Sequence, residues 1–292
     1  MSTPLYVAPE SLEDALRIKS ERGADARVIA GGTDLILRMR DRVYTPKLLV
    51  DLRAVPLTTI SRSASELRIG SYTSQSQILA SDEIANLFPA LAEACRPFAG
   101  PPIRNRATIG GNIVNASPAA DLVPPLLAYD ASVALSSVSG ERALPLAEFF
   151  TGPGQTVLEP DEILTEIRLP LMPEHTAAHF IKLGQRRSMA IAIVNLCTRL
   201  SLAEDGTVAM ARIALGAVAP TPLRAVAAET ALTGNKMSAG LFADAAQRAS
   251  EEIAPISDVR GSSGYRKLMT AVLLRRALTA TRGELEGPGS HE

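Results

Sequence analysis

The chain has 292 residues, 46% hydrophobic and only 4% aromatic, with 30 basic against 31 acidic side chains and a formal net charge of -1. That length sets a prior of two or three domains, and that apolar content excludes disorder as the dominant state. With 20 Gly and 20 Pro the collagenous and low-complexity classes fail too, and the balanced charge argues against a nucleic-acid binder.

In chain order, residues 5–7 form a short extended piece. Ser11 with Asp14 makes a capping-box-like start for a helix that Gly23 ends. Residues 27–30 are a β-prone run broken by Gly31-Gly32, after which Thr33 is expected to cap a helix over 34–40. Residues 48–50 and 67–70 read as strands, 74–79 as a short helix, and 82–95 as a longer helix interrupted at Pro89. The segment 97–115 is rich in Gly and Pro and reads as one long loop, a kind that usually carries function. Residues 133–135 and 163–169 are strands, and 171–175 reads as a domain boundary. Beyond it come β-prone runs at 180–183, 191–202 and 208–218, the last two joined by a Glu204-Asp205-Gly206 hairpin turn. Helices over 223–232, 239–253 and 265–282 close the chain.

Cys95 and Cys197 are too few for a disulfide framework or an iron–sulfur cluster. His175 and His179 lack the Glu of a zincin motif and read as solvated loop histidines, so neither a metal site nor a catalytic residue is assigned. No run of about 18 apolar residues points to a membrane span. The opening residues have no basic start and contain Pro4 and Pro9, so a secretory signal is not expected and the cytoplasm is the expected compartment.

Two Gly-Gly pairs carry the chemical signal. Ile29-Ala30-Gly31-Gly32-Thr33-Asp34-Leu35 runs from a strand into a helix, where unpaired N–H groups favour an anion and glycine lets the main chain approach it. An ordinary tight turn is the alternative. The G-x-G-x-x-G and G-x-x-x-x-G-K-[ST] spacings are absent, so a nucleotide here needs another scaffold. The second pair lies in Thr108-Ile109-Gly110-Gly111-Asn112, which again suggests a main-chain surface for a polar ligand; a buried loop satisfying its own backbone is the alternative. Asp121 follows nine residues after Asn112 and can accept from ribose hydroxyls or an adenine amine, or serve its own loop.

The run from Arg104 to Asp121, R-N-R-A-T-I-G-G-N-I-V-N-A-S-P-A-A-D, closely resembles the FAD-binding subunit of the xanthine dehydrogenase and carbon monoxide dehydrogenase family of molybdenum hydroxylases. A-G-G-T-D-L from Ala30, Phe98-Ala99-Gly100, Glu162-Ile163-Leu164, Lys182 to Arg187, and Asp258-Val259-Arg260-Gly261-Ser262 with Tyr265-Arg266 extend the likeness over essentially the whole chain. The resemblance implies an α+β fold, with a two-part PCMH-type FAD-binding domain at 1–174 (subdomains about 1–55 and 56–174). A smaller C-terminal domain of the CO dehydrogenase flavoprotein type would follow at 175–292, built of a three-stranded antiparallel sheet and helices. It implies that the Gly31–Leu35 loop (Gly31, Gly32, Thr33, Asp34, Leu35) and the Thr108–Asn112 loop (with Thr108, Gly110, Gly111 and Asn112) hold the FAD pyrophosphate from two sides, with Ile29 and Ala30 also in the cofactor site. Asp121 would bind the ribose or adenine half, Leu164 would wall the nucleotide, Lys182 would lie near the flavin ring, and Phe98 would line the pocket.

FAD is the one cofactor implied for this chain. Molybdopterin and 2Fe-2S clusters would sit on partners, a large and a small subunit, in a dimer of heterotrimers. Two distant cysteines exclude the branch with a 4Fe-4S cluster in this subunit. The implied role is electron transfer through FAD to an external acceptor. A stand-alone FAD-dependent oxidoreductase on the same fold, and a binding or assembly protein without cofactor, are the alternatives; the intact glycine loops argue against the second.

Overall fold

The computed structural model describes residues 3–186 and 189–286. The chain is an α+β protein of two compact units. One takes the chain up to Ile78, then Gly100–Ala116 and Ala131–Pro170; the other takes Leu79–Ala99, Ser117–Asp130 and the chain from Leu171 on. Arg187, the last residue of the K-L-G-Q-R-R segment, lies outside the described residues.

In the first unit the opening elements close into a three-stranded parallel sheet, with Leu48–Asp51 between Leu5–Val7 and Ala26–Ile29. Helix Leu12–Arg22 begins at its expected cap, where Ser11 Oγ accepts from the Asp14 N–H at 3.1 Å. Its Ala15 and Leu16 bury against Ala26, Val50 and Leu52. A second, antiparallel sheet has the order Ile60–Arg62, Glu66–Gly70, Ile163–Pro170, Ser132–Ser137, Gly140–Pro145. The outermost strand is almost wholly exposed, so no apolar alternation marks it in the sequence.

The second unit is built on an antiparallel sheet of three long strands, Thr176–Gly184, Ala192–Leu202 and Val208–Gly216, with a two-residue edge strand, Leu223–Arg224. That edge strand takes the start of the expected 223–232 helix, which begins only at Val226. Ala192–Leu202 is buried nearly throughout instead of alternating, the mark of a strand covered on both faces. Neighbouring residues reach the two covers. Thr198 Oγ1 lies 2.7 Å from Thr281 Oγ1 in helix Ser263–Glu286, whereas Arg199 donates to the Ala128 carbonyl at 3.0 Å. Ala128 ends helix Val123–Ala128, which the sequence reading misses because Pro124 and Pro125 sit in its first turn; there a missing N–H costs little.

Two further readings change. Residues 97–115 contain two short helices, Pro101–Arg104 and Ile109–Val114, instead of one continuous loop. His179 is not a loop histidine: it lies in strand Thr176–Gly184, with Nδ1 3.2 Å from the Glu93 carboxylate, and that contact holds its pKa above the ordinary value. Among the described residues no helix is long and apolar enough to cross a membrane.

One carboxylate pins the segment leading into the last helix. Asp258 accepts from the Arg260 N–H at 2.9 Å and pairs with the Arg260 and Arg266 guanidiniums at 2.8 and 2.7 Å. Buried Arg266 also donates to the Ile193 and Ala217 carbonyls. These donors, the main-chain N–H foremost, pull the Asp258 carboxyl from its ordinary 3.8 down to about 2. A depressed carboxyl contributes stability above its unfolded value and loses it as pH falls through its folded value. The Tm gap between wild type and Asp258→Asn should therefore be widest above about pH 5 and narrow toward about pH 2. A gap constant over that range would contradict this role.

Candidate functional site

The first glycine pair divides its work. A Cβ on Gly31 would fall on the Arg106 carbonyl oxygen and 2.5 Å from its carbonyl carbon, so only glycine lets this loop lie against the 106–107 main chain. Gly32 has φ +71°, a left-handed turn that an L side chain resists. Ile29 flanks the turn with its side chain, and the Ala30 carbonyl lies 3.5 Å from the Tyr72 hydroxyl. The helix that follows is Leu35–Arg40. Thr33 does not cap it; Asp34 stands at the N-cap, and its carboxylate turns to Arg38 at 2.5 Å. Among the described residues, the main-chain N–H groups of Gly31, Gly32, Thr33, Asp34 and Leu35 meet no acceptor. Five successive donors without a protein acceptor, on a loop that is not buried, can serve a polyanion without help from Lys or Arg.

The second pair is different, and the expectation of open main-chain donors there is corrected. Ile109 N–H donates to the Thr73 carbonyl, Gly110 to Ser71, and Asn112 to Thr108, all at 2.9–3.0 Å. Thr108 Oγ1 accepts from Gly111 N–H at 3.0 Å, capping the short helix. Gly110 is a packing glycine, since its Cβ would stand 2.7 Å from both Cβ and O of Ser71. What this segment leaves open is the exposed Gly111 and part of the Asn112 side chain. The two glycine segments meet through Gly31 and Arg106, and the second is held by the Ser74–Thr108 bridge. Leu164, in the same unit, is buried in strand Ile163–Pro170 opposite Leu135.

Phe98, Asp121 and Lys182 belong to the second unit. Phe98 is half-buried just past helix Pro89–Cys95. Asp121 and Lys182 form a buried ion pair at 2.5 Å. Asn195 Nδ2 donates to the other Asp121 oxygen at 2.9 Å. Burial pushes the Asp121 carboxyl up, against the pull of Lys182 and Asn195. Roles expected at different parts of a nucleotide thus fall on one joined pair. Asn195 was missed; its signal is a lone amide in the buried run A-I-V-N-L-C. It faces Lys182 on one neighbouring strand and Gly216 on the other, where a Cβ would collide with its Oδ1.

The family model described as the FAD binding domain in molybdopterin dehydrogenase matches residues 1–172, which makes this a flavoprotein of that class. The CO dehydrogenase flavoprotein C-terminal domain follows over residues 179–281. The chain thus belongs to the FAD-binding, medium-subunit family of the molybdenum hydroxylases and is an oxidoreductase subunit.

It is 35% identical to the 6-hydroxypseudooxynicotine dehydrogenase complex subunit alpha of Paenarthrobacter nicotinovorans, over 94% of this chain and 92% of that one. It is 32% identical to the xanthine dehydrogenase FAD-binding subunit of Escherichia coli O157:H7, over 96% and 98%. Among solved structures it is similar to a chain of the carbon monoxide dehydrogenase of Hydrogenophaga pseudoflava that lacks the Mo-pyranopterin moiety of its cofactor. That match has TM-score 0.93 and 34% identity, covering 97% and 98% of the two chains.

Proposed function

We propose that this chain carries electrons from 2Fe-2S clusters on a small partner subunit, through its FAD, to an external acceptor, with molybdopterin on a large partner subunit. The observation that carries the reading is the run of five unpartnered N–H groups from Gly31 to Leu35, backed by the Arg106 main chain. Bound FAD would supply the redox chemistry. The protein's own part is positional. The five donors would hold a pyrophosphate, Gly32 supplies the left-handed turn among them, and exposed Gly111 with Asn112 would offer the second side. Leu164 walls the nucleotide, and the resemblance assigns Phe98, Asp121 and Lys182 to the same cofactor. We also take residues 1–174 as the FAD-binding domain and 175–292 as the C-terminal domain, a division supported by the matched ranges.

The test compares the lone chain with the complex formed by all three subunits. Acid precipitation should release about one FAD per chain, since no His or Cys stands in the glycine loops to bind it covalently. Purines, aldehydes, N-heterocycles or carbon monoxide should bleach the flavin only in the complex. FMN in place of FAD, or substrate turnover by the lone chain at the rate of the complex, would overturn the assignment.

A further inference from the structure

The second unit presents a pinned apolar knob. Asp258 and Gly261 close a tight turn through reciprocal main-chain hydrogen bonds at 3.1 and 3.2 Å, and the Asp258 carboxylate ties that turn to Arg260 and buried Arg266. The residue held at the tip is Val259, 92% exposed. Around it the apolar side chains continue. Tyr265 packs beside Gly261, and Leu268, one helical turn further, is 62% exposed. Ile256 precedes the turn and is exposed as well. Gln185 reaches the Val259 carbonyl at 3.5 Å and brings the end of strand Thr176–Gly184 to the same place.

Exposed apolar side chains gathered on and beside one turn point to an interaction site, and a tip fixed in advance binds without the entropy of ordering a loop. The charge around it selects the partner. Among the described residues of 185–191 and 256–268, four side chains are cationic, Arg186, Arg260, Arg266 and Lys267, against the single carboxylate of Asp258, in a chain whose net charge is -1. Asp258 is already engaged by Arg260 and Arg266. Two copies of this chain meeting through the patch would bring like charges face to face, which costs affinity.

We infer that the Val259 turn, with Tyr265 and Leu268, is a docking knob for a different protein chain, one presenting an apolar pocket rimmed by carboxylates. This rests on reading the chain as one subunit of a multi-subunit enzyme, and it makes the Asp258–Arg266 clamp a positioning device for that contact. Anchors seated in pockets dominate interface energetics, so a charge at the tip should be severe and a rim charge mild.

The test is co-expression with the molybdopterin and iron–sulfur subunits, recovering the complex through a tag on the large one. Val259→Glu, and separately Leu268→Glu, should lower recovery of this chain at least about tenfold, with FAD content and Tm unchanged. Val259→Ile should assemble like wild type, and Lys267→Glu should slow association and flatten its salt dependence. Wild-type recovery of both Glu variants would overturn the surface while leaving the subunit reading intact. Failure of the wild-type chain itself to co-assemble would sink both. Binding to phosphatidylglycerol vesicles that Val259→Glu abolishes, with assembly untouched, would reassign the knob to a membrane surface and refute the protein partner.

Discussion

Gly31→Ala is expected to cost the protein most of its bound flavin and at least about 3 kcal/mol of stability. The added methyl has nowhere to go. It lands on the Arg106 carbonyl and 3.1 Å from the Ala107 nitrogen, and both are main-chain atoms that no rotamer change can move aside. The loop and the 106–107 segment must separate, which scatters the five donors from Gly31 to Leu35. For a chain of this size the loss should appear as a fall in Tm of roughly 5 °C or more. Gly111→Ala is the informative contrast. Its Cβ meets only the Thr108 hydroxyl, at 2.9 Å, and that side chain can yield, so the cost should be the loss of one cap, about 1 kcal/mol. Flavin content and Tm on the same preparations check both. Equal behaviour of the two variants would mean that the Gly31 approach does not set the loop.

Lys182→Met should be the other severe change. It strands the Asp121 carboxylate in the interior with Asn195 as its remaining donor, and removing one member of a buried ion pair typically costs about 3–5 kcal/mol. The sign of the pH dependence follows from burial. The Asp121 carboxyl is already raised, and without the ammonium it rises further. A raised carboxyl favours the fold while protonated and penalises it as pH climbs through the folded value, so the variant should be more damaged at about pH 8 than at about pH 5. Adding Asp121→Asn removes the stranded charge and should restore much of the lost Tm. A double variant no better than the single one would show that the pair is not coupled as described.

What was legible in the sequence was what local chemistry decides. Gly31-Gly32 ends its strand, Ser11 caps its own helix, and Asp205-Gly206 turns its own hairpin, so each could be read from a few neighbouring residues. That Ile109 and Gly110 have engaged N–H groups was not legible, because their acceptors, the carbonyls of Thr73 and Ser71, come from just past a strand end more than thirty residues earlier. Thr33 is not the cap because the helix starts at Leu35, one residue later than expected, which puts Asp34 at the N-cap with its carboxylate on Arg38. The Asp121–Lys182–Asn195 group depends on strand register. Lys182 faces Asn195 only because two strands pair with that alignment, and no spacing in the chain announces it.

The order of strands in the first unit also sets a schedule for synthesis. Ile163–Pro170 is the middle of its sheet, yet it is the last of the five strands to be made. Until it emerges, Glu66–Gly70 has only Ile60–Arg62 beside it, and Ser132–Ser137 has only Gly140–Pro145. At the usual pace of translation the first of these open edges waits on the order of 5–20 s for its partner. An unpaired edge left open that long is a template for wrong pairing. A nascent chain of this protein thus has two half-sheets with open edges until a single late strand joins them, and synthesis is an interval in which those edges are exposed to wrong pairing.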